Sequence, residues 1–341
     1  MSTSMQSKNF FSLSKFSHIY VEKAAKGLSF TNEILEKLPK ANIIEIDRYQ
    51  EVFNRTRQNW REAKSSQKLI LAVKKDGFLH KASDVIQNNE VERFFYTTPI
   101  LNCVYDCDYC FLQGMFTSPH AVIFINHDDF FNDTDRELAL GELYLSPSYE
   151  TDLLSFESIV PWSRKWIEFA QTRPKLTVEI RTKSVSYRSI SDLTVSPNVI
   201  LSWTISPNEI AQKYEKGVPS LDSRLASAKM AIKDGWKVRL CFDPILAVND
   251  WQSIYSNFLN KLSSEFPISK LFDVWVGTFR MSSEFLKNIR NSRDDSDILF
   301  YPFENSEGVA SYSKSIRQQA LTLTHDVFIK HLPKEKIVNW G

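Results

Sequence analysis

The sequence predicts an α/β protein whose parallel sheet curls into an open partial barrel. Three observations carry this expectation. Six strand-like apolar runs recur, at Phe94–Leu101, Leu138–Leu145, Lys175–Arg181, Val199–Ile205, Lys237–Asp243 and Val274–Phe279. Helical patterns lie between them, clearest at Ile159–Gln171, Leu221–Asp234 and Trp251–Phe266. The runs are near-continuously apolar, as strands covered on both faces by helices must be. Six units are too few to close an eight-stranded barrel, so an open one is expected.

Ahead of the first run, His18 to Lys81 reads as small mixed structure. Thr31 is placed to cap a helix through Leu38, and Ala41–Ile46 is a short apolar strand. A charged helix is expected from Tyr49 to about Ala63, ended by Ser65 and Ser66 before the strand Leu69–Val73 and the Asp76-Gly77 turn. Within the repeats, Pro219 and Ser220 announce the helix that Asp234-Gly235 ends. With a boundary near Ala82–Glu92, the expected organisation is a flexible tail over 1–17, an N-terminal α/β segment over 18–91, the partial barrel over 92–292 and a C-terminal extension over 293–341.

The 341 residues, 43% of them apolar, suit one large domain or a barrel with an appendage. No run approaches the ~18 uninterrupted apolar residues that span a bilayer. Met1–Lys15 is polar and Ser-rich and lacks the apolar stretch of a secretion signal. A formal net charge of +1 gives the whole molecule no pull on polyanions, so nucleic-acid binding would need a local basic patch. A cytoplasmic monomer without membrane association is expected.

Three of the four cysteines lie within eight residues, and the fourth is distant, at Cys241. This is a poor disulfide framework; without a secretion signal, a tight cluster reads as metal ligation in a reducing compartment. The run Cys103-x3-Cys107-x2-Cys110 follows directly on the first apolar run, and parallel α/β folds keep their chemistry at the carboxyl ends of strands. Three thiolates can satisfy three irons of a [4Fe–4S] cubane and leave the fourth for a small molecule to chelate. Zinc would want a fourth ligand, for which His120 is a candidate at a spacing foreign to common zinc folds. The histidines show no ligand spacing among themselves, and a Gly-rich phosphate loop is lacking.

The cysteine motif, with Tyr109 directly before its last member, resembles the radical S-adenosylmethionine (AdoMet) superfamily. From about Ile19 to Ile337 the chain further resembles the spore photoproduct lyase family. The matching pieces include Ile19–Lys23, Ala41–Asp47, Cys110–Gln113, Glu179–Ser184, Trp203–Ser206, Glu215–Gly217, Ser220–Arg224 and Asp243–Ile245. The resemblance implies a partial (β/α)6 barrel and a [4Fe–4S] cluster at which AdoMet is reductively cleaved to a 5′-deoxyadenosyl radical. It implies DNA photoproduct repair, with DNA or other nucleic acid as partner, and an external one-electron reductant of flavodoxin or ferredoxin type. It also sets Lys183 and the hydroxyl at Thr204 against AdoMet, with Ser206 ending the same strand. Read from the residues alone, Lys183 follows a strand on the catalytic face and either pairs with a carboxylate or is a solvated surface lysine. Thr204 and Ser206 read equally as a loop cap before Pro207, and Arg224 as a surface ion pair with Glu215.

Two positions depart from the family. Its Cys-Thr-Ser-Asp-like stretch, whose cysteine donates a hydrogen atom, is here Tyr149-Glu150-Thr151-Asp152, and the second tyrosine expected after the last cluster cysteine is Phe111. Both touch hydrogen return rather than AdoMet cleavage. Tyr109, Tyr149 and Cys241 are therefore the candidate catalytic residues. Cys241 shares a strand face with Arg239 and Asp243, which suggests a polar barrel interior, although a lone strand cysteine also serves as a small core residue. Ile298–Lys314, with Phe300, Tyr301, Phe303 and Tyr312, reads as an aromatic hairpin against DNA or as packing. Two other functions stay open: the same radical chemistry on RNA, a peptide or a small molecule, and a catalytically silent, cluster-containing nucleic-acid-binding protein.

Overall fold

Each of the six apolar runs contributes a strand to one sheet in the computed structural model, which describes residues 16–55, 58–82 and 92–340. The tail reading for Met1–Lys15 and most of the boundary stretch, residues 83–91, fall outside the described residues. Across the sheet the strands run Ile337–Trp340, Asp273–Thr278, Lys237–Ile245, Val199–Thr204, Leu176–Thr182, Leu143–Ser146, Phe94–Thr97 and Leu79–Lys81. Every neighbouring pair is parallel except the last. The partial barrel is thus the expected one, extended on one edge by the C-terminal strand and on the other by Leu79–Lys81. Its strands are covered by helices; all six residues of Val199–Thr204 are buried, and each fully buried aliphatic side chain contributes about 1.5–3 kcal/mol.

The first apolar run is not one strand. Phe94–Thr97 pairs with Leu143–Ser146 in the barrel, whereas Ile100–Leu101 pairs antiparallel with Ala121–Phe124 in a second sheet. Pro99 lacks the N–H that a continuing ladder would need, so the chain crosses between sheets at Thr98-Pro99. That second sheet is ordered Asn42–Ile46, His18–Glu22, Leu69–Ala72, Ala121–Phe124, Ile100–Leu101, and its first four strands are parallel. The crossing leaves Cys103 at the seam between the two sheets.

Three local expectations are corrected. Thr31 is no cap: it lies inside the helix Ser29–Glu36 and donates its hydroxyl to the Ala25 carbonyl at 2.7 Å. The charged helix from Tyr49 to Ala63 is two short ones, Gln50–Phe53 and Trp60–Ser65. The second starts afresh because Asn59 accepts the Arg61 and Glu62 N–H groups on its side chain. The expected strand Leu138–Leu145 begins only at Leu143, since Leu138 closes the helix His127–Leu138. That helix has Asp128 and Asp129 in its first turn, and Phe130, Thr134 and Leu138 fall at i, i+4 and i+8 on one face.

Candidate active site

The cysteine loop is shaped before any metal enters. Asn102 takes a left-handed conformation, φ 66°, which asparagine tolerates better than most residues. Its side-chain amide donates to the Ser118 and His120 carbonyls at 2.7 and 2.8 Å. The backbone then turns from Cys107 to Cys110 through a 3.1 Å hydrogen bond, and Asp106–Cys107 pairs antiparallel with Glu215–Lys216. Gln67 donates to the Cys103 carbonyl at 3.0 Å and Gln113 to that of Cys107 at 2.7 Å.

From the far end of the chain Arg293 enters this loop, fully buried. Its guanidinium donates to Asp108 Oδ1 at 2.7 Å and also reaches Asp106 and Gln113. Ser296 completes Asp108 at 2.8 Å. Behind the loop, a Cβ on Gly114 would stand 2.3 Å from the Phe285 carbonyl oxygen, so only glycine lets the helix Ser283–Arg290 approach this closely. Sequence reasoning missed Arg293; nothing in its local pattern marks it, and its partners lie 180 or more positions away.

The loop opens on a cavity of about 670 Å³ at the carboxyl ends of the barrel strands. Cys103, Cys107, Cys110, Tyr149, Lys183 and Thr204 all line it, as does Tyr109. Lys183 is no surface lysine. Asp152 accepts its backbone N–H and the Thr182 hydroxyl, both at 2.6 Å. The Lys183 ammonium lies 3.9 Å from Cys107 Sγ, 3.8 Å from Glu215 and 5.0 Å from the centre of the Tyr109 ring. Ser206 and Cys241 do not line the cavity. Ser206 gives its hydroxyl to Glu215 at 3.0 Å, and the Tyr109 hydroxyl reaches the same carboxylate oxygen. The Arg224–Glu215 ion pair is not on the surface as read above but fully buried, at 2.8 Å, with Arg224 also donating to the Thr204 carbonyl at 3.1 Å. Burial opposes ionisation of Glu215, but Lys183 and Arg224 hold its carboxyl below the usual range.

The donor set suits a cluster. Burial pushes the Cys103 thiol up to about 12 and raises Cys107 and Cys110 as well, and metal ligation would take the place of the proton on each. Among the described residues no three His, Cys, Asp or Glu side chains crowd round a single ion; a cubane distributes its thiolates over three irons. His120 has other business, accepting the Lys68 N–H at 3.3 Å.

An aromatic wall faces the cysteines. Tyr149 packs against Tyr96 at 4.6 Å and Phe111 at 5.4 Å, and His80 stacks on Tyr96 at 5.0 Å. Burial drives the Tyr149 phenol up to about 12 and the neighbouring Glu150 carboxyl up to about 7, the latter against the opposing pull of Lys74. Below lies the polar interior expected from Arg239, Cys241 and Asp243: Arg239 grips Asp273 with bonds of 2.6 and 2.7 Å, and Asp243 lines the cavity. Cys241 is fully buried there, its thiol raised to about 12 by burial. The aromatic segment is largely packing, with Tyr301, Phe303 and Tyr312 clustered on Phe279 and only Phe300 exposed.

A three-cysteine loop opening on a cavity at the carboxyl mouth of a parallel partial barrel defines the radical AdoMet class of fold and site. The sequence profile of the family described as spore photoproduct lyase matches residues 16–284. The chain belongs to the spore photoproduct lyase family. Among curated relatives, the spore photoproduct lyase of Geobacillus sp. is 22% identical over 175 residues, 50% of this chain and 51% of that one. The chain thus spans about half the length of that relative. The spore photoproduct lyase of Clostridium acetobutylicum is 25% identical over 238 residues, 66% of this chain and 70% of its own. Among solved structures, a spore photoproduct lyase complexed with dinucleoside spore photoproduct superposes with a TM-score of 0.80 at 16% identity, covering 95% of this chain and 98% of that one. A mutant with bound AdoMet and the same dinucleoside gives 0.78 at 17%, with the same coverage. Among the described residues no helix is long and apolar enough to cross a membrane.

Proposed function

We propose that this protein is a radical AdoMet enzyme of the spore photoproduct lyase type, acting on a photoproduct in nucleic acid. The observation that carries the reading is the convergence of Cys103, Cys107, Cys110 and Lys183 on one cavity of a family barrel. The cysteines would hold a [4Fe–4S] cluster, which, with AdoMet bound and an external one-electron reductant, supplies a hydrogen-abstracting radical by reductive cleavage of the sulfonium. Lys183 would meet the AdoMet carboxylate with a charge-assisted hydrogen bond, its backbone held by Asp152. Thr204 offers a hydroxyl on the same cavity. Ser206 and Tyr109 would act as positioning residues, because both hydroxyls engage Glu215 beside Lys183.

Lys183→Ala is expected to weaken AdoMet binding roughly 10–100-fold while iron content stays normal, from the loss of a contact contributing about 1.5–3 kcal/mol. An unchanged AdoMet titration would return Lys183 to a structural role.

We read Tyr149-Glu150-Thr151-Asp152 as the counterpart of the family's donor stretch, with Tyr149 in place of the hydrogen-donor cysteine. Of the two candidate donors, Tyr149 lines the cavity and Cys241 does not, which favours the phenol. A bulkier donor with a different reach also favours a second reading: the same radical chemistry on a modified base other than the spore photoproduct. Wild-type protein is expected to form 5′-deoxyadenosine slowly and to repair authentic spore photoproduct little or not at all, with Tyr149→Cys gaining repair. Efficient repair by the wild type would show that tyrosine serves as well as cysteine. Activity that survived Tyr149→Phe and vanished in Cys241→Ala would reassign the donor. Incubation with deuterium-labelled DNA and RNA tests the substrate class: label in 5′-deoxyadenosine supports it, and label from neither polymer rejects it.

A further inference from the structure

Three arginines enter the barrel interior, and their partners separate them into two kinds. Arg239 is 2% exposed and fully engaged: Asp273 takes it bidentately at 2.6 and 2.7 Å, and Tyr144 and Glu179 accept at 2.8 and 3.2 Å. It is a structural residue.

Arg181 and Arg280 differ. Both line the main cavity, with side chains 29% and 19% exposed. They flank one carboxylate, that of Asp243, from opposite oxygens: Arg181 Nη1 lies 3.6 Å from Oδ2 and Arg280 Nη1 3.5 Å from Oδ1. Both separations exceed the 2.7–2.9 Å or so of a charge-assisted pair. Among the described residues Arg280 otherwise donates only to the Thr278 carbonyl, at 3.3 Å, and Arg181 reaches Glu179 at 3.4 Å. A guanidinium carries five N–H donors, so most of the pair's donors have no partner among these groups.

The rest of the corner is built to keep that arrangement. Arg181 lies over the Trp275 ring at 5.4 Å and Arg280 over Trp340 at 5.5 Å, contacts that hold each fork in place. A Cβ on Gly277 would stand 2.7 Å from Asp243 Oδ1 and 3.1 Å from Arg280 Nη1, so glycine makes the seat possible. Of the other acids on the cavity, Glu150 is countered by Lys74, and the remaining three do not compete. Asp152 is occupied by Thr182, Lys183 and Ser155, and Glu179 by Tyr144 and Arg239. Glu307 is on the exposed rim.

The geometry points to Arg181 and Arg280 as an oxyanion clamp for the substrate, reading the phosphodiester that joins the two nucleosides of the lesion. The inference rests on the nucleic-acid reading of the same cavity. Planar forks match phosphate oxygens bidentately, and two forks sharing one weakly held carboxylate can turn to a monoanion without leaving a buried charge unpaired.

The experiment compares three probes by equilibrium dialysis against the cluster-loaded protein. They are thymidylyl-thymidine carrying the spore photoproduct cross-link, the same cross-linked pair as a phosphate-free dinucleoside, and undamaged thymidylyl-thymidine. The wild type is expected to bind the cross-linked dinucleotide roughly 10–100-fold more tightly than the dinucleoside, as a charge-assisted contact gives. In Arg280→Gln that ratio should fall to within about threefold, with Arg280→Lys between the two, and Arg181→Gln should act in the same direction. Equal phosphate preference in wild type and Arg280→Gln overturns the clamp, as does the lack of arginine-dependent binding by either dinucleotide. A matching loss of AdoMet affinity in Arg280→Gln also overturns it, assigning the pair to the cofactor's carboxylate. Arginine-dependent phosphate binding without any 5′-deoxyadenosine formation leaves the clamp standing and counts against the proposed reaction alone.

Discussion

Replacing Cys103, Cys107 or Cys110 with alanine is expected to abolish both iron–sulfur content and 5′-deoxyadenosine formation. The wild type purified without oxygen should be brown and carry about four irons per chain. Each thiolate of a three-cysteine cubane serves a different iron, so no remaining cysteine can cover for a lost one. Cys241 offers no rescue: it is fully buried and outside the cavity lining. Stoichiometric zinc in the wild type, with no iron uptake on reconstitution, would overturn the cluster assignment. So would a single-alanine variant that kept its iron.

Arg293→Met should be the most damaging change outside the cysteines. The side chain is fully buried and satisfies Asp106, Asp108 and Gln113 at once. Removing one partner of a buried ion pair costs about 3–5 kcal/mol, because the carboxylate left behind has lost its counter-charge. Lys216, 3.5 Å from Asp108 and half-exposed, can take up part of that charge. Against a total stability of roughly 5–15 kcal/mol, the loss should show as a large fall in denaturation midpoint and as poor iron uptake. Arg293→Lys should rescue little, since a point charge cannot span three acceptors. Wild-type stability and iron content in Arg293→Met would show that the loop holds its shape without the arginine.

Much of the site was legible because its signals are local. The Cys103–Cys110 spacing is a property of eight consecutive residues, and the apolar runs declare buried strands wherever they fall. The expectation that Arg239, Cys241 and Asp243 share a face needs only the two-residue period of a strand. The errors of boundary were local too. An apolar Leu138 looked like a strand start until its place on the face of Phe130 and Thr134 made it a helix end.

The rest of the site depends on which distant segments meet. No pattern around Arg293 announces the cysteine loop, and none around Arg181 and Arg280 announces their shared Asp243. Arg224 and Glu215, which read as a surface pair at nine positions' separation, are buried because the barrel strand ending at Thr204 lies against them. Lys183 could have been solvated; Asp152, Glu215 and Cys107 make it part of the cavity. Tyr149 faces that cavity and Cys241 does not, a distinction that rests on how six strands curl. Thiol spacing and apolar runs act over a few residues, so the cysteine motif and the strands that frame it could be read from the chain alone. Packing determined which side chains reach the cavity, because burial and ion pairing are settled only when segments far apart in the chain close on one another.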